Sequence, residues 1–423
     1  MGSVNGFVEH TLANGLRLVI EPMPHVQSAA GGFLVRTGAR DETPELAGVS
    51  HFLEHMCFKG TAKRDWRQIT VDFDNLGSTY NAYTSKEQTV YFGWVRVCDL
   101  EKQIELLADM MQSIIPPEEF EMEKKVILEE IAMSEDSIER RVVDLIHEQR
   151  YAGHSLRWPV LGTAESVGAL TRDQLHGYFE SRYHPANMVL AVAGAVDPSE
   201  VIGMAERICG DWSPRSPRPE RVAPPPARQG TGKIRADQFE QQAVVLTYPA
   251  PSARHPDRER GDVLAFLLGG HNSRFFWNIV QAGLAPHVSA ARLDYSDDGM
   301  FIAYGFCEPA KSEELLAAMQ SEIDTVLSGG VSDEEVRRVG NLARTGLATE
   351  SEGPYHRFMQ MVRDIDALGR PRDVSERLAA LDAVTPAGIR AYGEAWLSEG
   401  QRTLVSVGPR DWPANGDSGP PRR

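Results

Sequence analysis

Ten residues, His51-Phe-Leu-Glu-His-Met-Cys-Phe-Lys-Gly60, constrain this chain more than any other stretch. His51 and His55 stand four apart, with Glu54 directly before the second histidine. Positions i and i+4 of an α-helix lie one above the other, so this spacing brings two imidazoles together if the segment is helical. Leu46, Val49, Phe52, Leu53 and Met56 recur at three- and four-residue steps and supply the apolar face of such a helix; Lys59-Gly60 supplies its stop. Two imidazoles so placed can hold one zinc ion, and Glu54 can reach a water on that metal. A surface helix with an ordinary His/Glu cluster reads the same way. A third donor separates the two readings.

That donor is expected to be an acid or a third histidine on an element that packs against the first helix. The acid-rich stretch from Pro117 to Arg150 is the best source. It reads as one long helix, because Phe120, Val126, Ile127, Ile131, Val142, Val143, Leu145 and Ile146 form an apolar face and no further Pro or Gly interrupts it. Glu123 and Glu130 are seven apart and share a face flanked by Val126 and Ile127, whereas Glu129 points about 100° away. An acid on the apolar side of a helix is costly to bury without a partner, and a metal is one such partner. A run of glutamates also suits a solvated face, but the shared face favours Glu130 as ligand and Glu123 as an acid supporting it.

The order H-x-x-E-H is the inverzincin signature. Together with Glu130 inside Val126-Ile-Leu-Glu-Glu-Ile131, it resembles the M16 zinc peptidases, the family of the pitrilysins, insulin-degrading enzymes and mitochondrial processing peptidase, and within it the short bacterial M16B members. The resemblance extends over Asn14-Gly-Leu-Arg-Leu-Val-Ile20, Gly38-Ala-Arg-Asp-Glu42, Phe58-Lys-Gly-Thr61, Asn81-Ala-Tyr-Thr-Ser-Lys-Glu87, Leu161-Gly-Thr-Ala-Glu165 and Tyr183-His-Pro-Ala-Asn-Met-Val-Leu190. It implies one zinc ion per chain on His51, His55 and Glu130, with Glu54 as general base and Glu123 as the supporting acid. It also implies an α+β fold of two homologous α/β halves closing like a clamshell around a peptide. The tract Asn81 to Ser85 suits an edge strand, whose unpaired N–H and C=O groups can hold an extended peptide. The family holds substrate backbone in this way, which marks Asn81 and Ala82 as substrate contacts.

Composition fits two domains with separate cores. The chain has 423 residues, of which 42% are hydrophobic and 25% charged. The stretch 213–232 is rich in Pro, Gly and Arg and reads as a linker between a zinc-bearing domain, 1–212, and a second domain, 233–423, without a metal motif. The second half repeats the outline of the first: a strand at Gln242 to Tyr248, a helix at Arg258 to Leu268 where the metal helix would sit, and a strand at Arg402 to Val407. A formal net charge of −16 argues against general affinity for nucleic acid or an anionic membrane. No stretch approaches 18 apolar residues and the start lacks a leader pattern, so the expected location is a bacterial-type cytoplasm. Cys57, Cys98, Cys209 and Cys307 are far apart and form no metal pattern; Cys57 falls off the metal side and reads as core.

One departure from the family pattern concerns the second half. Active single-chain members carry an Arg and a Tyr there, in a stretch resembling I-R-E-x-x-G-L-A-Y. Here the matching stretch is Asn278-Ile-Val-Gln-Ala-Gly-Leu-Ala-Pro-His287, with Ile279 or Val280 in place of Arg and Pro286 or His287 in place of Tyr. His287 or Arg274 are the residues that would have to substitute. The expectation is therefore a zinc-bearing subunit of a dimer, a heterodimer with an Arg/Tyr-bearing partner included. The rival from another class is a non-catalytic scaffold subunit of a larger complex.

Overall fold

The computed structural model of the chain describes residues 2–4, 6–214 and 221–413. These form two compact units. The first comprises 1–132, 158–222 and 348–373; the second comprises 133–157, 223–347 and 374–423. The units therefore differ from the expected domains 1–212 and 233–423. Each half of the sequence contributes one helical segment to the unit built mainly from the other half.

The first unit is built on seven strands: β1 (Gly2–Val4), β2 (Phe7–Thr11), β3 (Arg17–Pro22), β4 (Ser28–Val35), β5 (Thr79–Thr84), β6 (Thr89–Arg96) and β7 (Met188–Gly194). Their order is β1-β2-β3-β7-β4-β6-β5, antiparallel throughout except for the parallel pair β3/β7. The Asn14-Gly15 stretch is the turn between β2 and β3, and Gly15 sits there at φ 92. Alternation along the strands divides the core in two, because successive side chains point to opposite faces. Leu18, Ile20, Phe33, Tyr91 and Val192 face a layer that includes Val49–Cys57 and the helix Leu100–Met110. Val19, Leu34, Val90, Phe92 and Ala191 face the helix Pro354–Leu368, which meets them with Phe358, Met361, Val362 and Ile365.

The second unit carries β8 (Gly230–Arg235), β9 (Gln242–Pro249), β10 (His287–Asp294), β11 (Gly299–Cys307) and β12 (Thr403–Gly408), in the order β10-β11-β9-β12-β8. One face packs on Arg258–Gly269 and Ser312–Leu327 through Leu246, Phe301, Leu264, Leu268, Leu315 and Met319. The other takes Val142, Leu145 and Ile146 of the helix Ile138–Arg150. Two expectations need correction here. The stretch Pro117 to Arg150 is two helices, Pro117–Glu135 and Ile138–Arg150, because the Ser137 hydroxyl accepts from the Arg140 amide and caps a new start. The linker also ends before Gly230, which already belongs to β8; its residues 215–220 lie outside the described ones. No helix among the described residues is long and apolar enough to cross a membrane.

Candidate metal centre

The motif helix, Val49–Cys57, begins at Gly48, whose φ of 94 belongs to the left-handed region that favours glycine. A Cβ there would lie 2.7 Å from the Leu161 carbonyl oxygen. The amides at the helix start, which lack intrahelical acceptors, are met by Glu42, which accepts from Gly48 N and from Ser50 N at 2.8 Å each. Phe52, Leu53, Met56 and Cys57 are fully buried, as the periodicity requires, and Cys57 is a core residue. Phe52 stacks on Phe120 of the acidic helix Pro117–Glu135 at a centroid distance of 5.0 Å, which locks the two helices face to face.

This packing brings the three expected ligands together. His51 Nε2 is 3.6 Å and His55 Nε2 is 3.8 Å from Glu130 Oε2. One donor atom from each residue lies within 4.8 Å of the others, and no other such cluster occurs among the described residues. Tetrahedral zinc with bonds near 2.0–2.1 Å sets its donors roughly 3.3 Å apart, so small side-chain adjustments suffice and the donor set fits zinc. On the far side of the His55 ring, Nδ1 is 2.7 Å from Glu123 Oε1. With Nδ1 so engaged, Nε2 is the nitrogen left facing Glu130, the usual arrangement in which a carboxylate orients a metal-binding imidazole.

The electrostatics follow from burial and proximity. Burial pushes the Glu54 carboxyl above its ordinary range, opposed by the Thr84 hydroxyl, which donates to Glu54 Oε2 at 2.7 Å. Burial alone would lower His55, but the hydrogen bond and charge of Glu123, with Glu54 and Glu130 adding to them, raise it. Burial would likewise raise Glu123; His55 and Lys59 outweigh it and hold the carboxyl low.

The expected substrate contacts lie on β5, which is the edge strand of its sheet as anticipated. Asn81 is exposed and Ala82 buried. The Ala82 N–H is already taken by the Asn81 side-chain oxygen at 2.8 Å, so a peptide pairing at that amide would have to displace Asn81. Thr84 is the β5 residue that touches the motif acid, and the sequence reading passed over it. Glu42 was also missed: it lies outside the helix, and nothing local marks it as a cap. In the second unit, Arg274 is bound by both oxygens of Glu335 at 2.9 and 3.0 Å and is only 11% exposed. Its guanidinium is thus paired within its own unit. His287 is exposed at the start of the edge strand β10.

Comparison with known proteins agrees with this picture. The family model described as Insulinase (Peptidase family M16) matches residues 17–164, and that described as Peptidase M16 inactive domain matches residues 169–342. A relative named as an uncharacterized zinc protease in Streptomyces coelicolor is 35% identical over 408 residues, covering 94% of this chain and 88% of its own. The Bacillus subtilis protein named as the uncharacterized zinc protease YmxG is 32% identical over 379 residues, covering 89% and 92%. Among solved structures, a protease from Helicobacter pylori superposes with a TM-score of 0.90 at 20% identity, covering 95% of this chain and 99% of that one. A peptidase M16 inactive domain from Pseudomonas fluorescens gives 0.85 at 18%, covering 96% and 98%. These two structures support the fold.

Proposed function

The chain belongs to peptidase family M16, and from that premise we propose that it is a zinc endopeptidase acting on peptides or unfolded segments. The observation that carries this reading is the convergence of His51, His55 and Glu130 with Glu54 beside them. Zinc, when bound by those three donors, supplies a Lewis acid that polarises the scissile carbonyl and acidifies water. Glu54, oriented by Thr84, takes the proton from the attacking water and delivers it to the leaving nitrogen. Glu123 keeps the His55 ring turned with Nε2 toward Glu130. The edge of β5, at Asn81 and Ala82, holds the substrate backbone by strand addition once the Asn81 side chain releases the Ala82 amide. One zinc ion per chain satisfies this donor set.

The engagement of Arg274 by Glu335 favours a division of labour, in which this chain is the zinc-bearing subunit of a dimer and a partner supplies the groups that position substrate. The same observation supports the scaffold reading to a lesser degree, since a scaffold needs no such groups but has no physical reason to keep three donors and a base. The test is cleavage of a peptide mixture by the purified chain and by Glu54→Gln, with zinc content measured on both. The amide should retain zinc and lose about 10²–10⁴ of turnover. Equal cleavage by the variant would remove Glu54 from the mechanism. Zinc without cleavage in the wild type would point to the dimer. Absence of both, with zinc supplied, would favour the scaffold.

A further inference from the structure

Lys59 lies just past the motif helix, and its place in the sequence explains no more than a helix stop. Its ammonium sits 2.6 Å from Glu123 Oε2. The other oxygen of the same carboxylate is the one that meets His55 Nδ1, at 2.7 Å. Glu123 is thus held at both oxygens, one partner each, and its side chain is only 7% exposed. Both partners belong to one rigid element: the Lys59 amide donates to the Met56 carbonyl at 3.0 Å, which fastens Lys59 to the end of the helix that carries His55.

A glutamate carboxylate turns easily about its last torsion, where the energy wells are broad. A single imidazole contact leaves that rotation open. A second, charge-assisted bond on the opposite oxygen fixes the plane of the carboxylate, and with it the direction from which His55 Nδ1 is addressed. The lysine also places a positive charge beside a site where Glu54, Glu123 and Glu130 crowd together, in keeping with Lys59 among the groups that hold Glu123 low. We propose that Lys59 is a positioning residue of the metal centre, which acts through Glu123 to hold His55 in the orientation that zinc requires. This rests on the zinc reading above and extends it to a residue outside the donor set.

The experiment is the zinc dissociation constant, read by competition with a chelating dye, for the wild type and for Lys59→Met, Lys59→Arg, Glu123→Gln and the Lys59→Met/Glu123→Gln double variant. Loss of a partner that orients a ligand costs about 10–100-fold in metal affinity, and Glu123→Gln should fall in that range. Lys59→Met should weaken zinc by about 10-fold, and Lys59→Arg, which keeps the charge and the donor, should recover most of it. In the double variant the lysine change should add nothing, because its route to the metal is already cut. Lys63→Met, at a nearby exposed lysine, should leave affinity unchanged. Thermal unfolding of the metal-free proteins runs alongside. A lysine that merely ties two helices together would lower that transition without moving zinc affinity. Unchanged affinity in Lys59→Met, or full additivity in the double variant, overturns the positioning role and leaves the zinc reading intact. A wild type that binds no zinc overturns both.

Discussion

Replacing Glu42 by glutamine tests whether burial dominates the cap of the motif helix. Each Glu42 oxygen accepts one amide, from Gly48 and Ser50 at 2.8 Å, and the residue is 5% exposed. Burial pushes this carboxyl from 4.5 up to about 7, and the hydrogen bonds from Ser50 and Gly48 pull it only part of the way back. A carboxyl raised on folding contributes stability that is fully present below the unfolded value of 4.5 and is lost as pH climbs through about 7. The gap, at about 1.4 kcal/mol per unit, corresponds to roughly 3 kcal/mol lost between about pH 4.5 and about pH 8.5. The side-chain amide introduced by Glu42→Gln cannot titrate, so the variant's stability should lack this component. It keeps one acceptor for one of the two backbone amides and turns N–H₂ toward the other, a loss of about 1–3 kcal/mol at any pH. The variant should therefore be less stable than wild type at about pH 5 and equal or more stable at about pH 8.5. Urea unfolding at acidic, neutral and mildly alkaline pH measures the difference. Parallel wild-type and variant stabilities across that range would refute the reasoning, and would mean that the amides at the helix start keep Glu42 ionised throughout.

Two further substitutions test the frame around the centre. Arg221 binds both oxygens of Asp41, at 3.0 and 2.7 Å, and also Glu87 at 3.0 Å, with all three side chains at most 8% exposed; Arg40 shares Glu87 at 2.7 Å. Arg221→Ala leaves buried carboxylates short of a cation and should cost about 3–5 kcal/mol in urea unfolding, whereas Arg221→Lys should recover only part; a loss under about 1 kcal/mol would show that water reaches the cluster. Ser137→Ala removes the cap of Ile138–Arg150 and should cost about 1 kcal/mol in the same assay, with Ser137→Asp near wild type, and no loss in the Ala variant would mean that the break between the helices is held by packing alone.

What was legible in the sequence was local or carried by a strong period. The motif helix follows from apolar recurrence at Val49, Phe52, Leu53 and Met56, and the shared face of Glu123 and Glu130 follows from their spacing. Donor atoms from His51, His55 and Glu130 do come within 4.8 Å of one another. The features that escaped depend on packing between distant segments. Phe358, Met361, Val362 and Ile365 mark an amphipathic helix, but nothing in that pattern says that it covers β4 and β7 rather than a sheet of its own half. Ser137 is a capping residue in plain view, yet the uninterrupted apolar face on both sides outweighed it. Lys59 and Glu42 act through partners far along the chain or outside the helix they serve, and no periodicity records such contacts. Arg274, considered as a substitute for the family Arg, is paired with Glu335, sixty-one positions away, which no local pattern foretells.

The two units place different side chains between a helix and the edge strand beside it. In the first, the motif helix packs on the edge strand β5, and Thr84 of that strand donates to Glu54 of the helix. In the second, the helix Arg258–Gly269 packs on the edge strand β10 in the same relation. There the contact includes an ion pair: Arg292 of β10 binds Asp262 of the helix at 2.8 Å and its own neighbour Asp294 at 3.2 Å, and is only 2% exposed. Arg258 approaches Asp294 from the helix at 3.8 Å. Acids that face guanidinium groups have their charge met from within, so a cation gains little by entering, whereas among the described residues the acids around His51 and His55 are paired with those two histidines and, at Glu123, with Lys59. The difference lies first in the helix, since Arg258–Gly269 carries no histidine, and then in which residue the edge strand presents to it. A neutral hydroxyl on β5 orients an acid without discharging it, and an arginine on β10 discharges one.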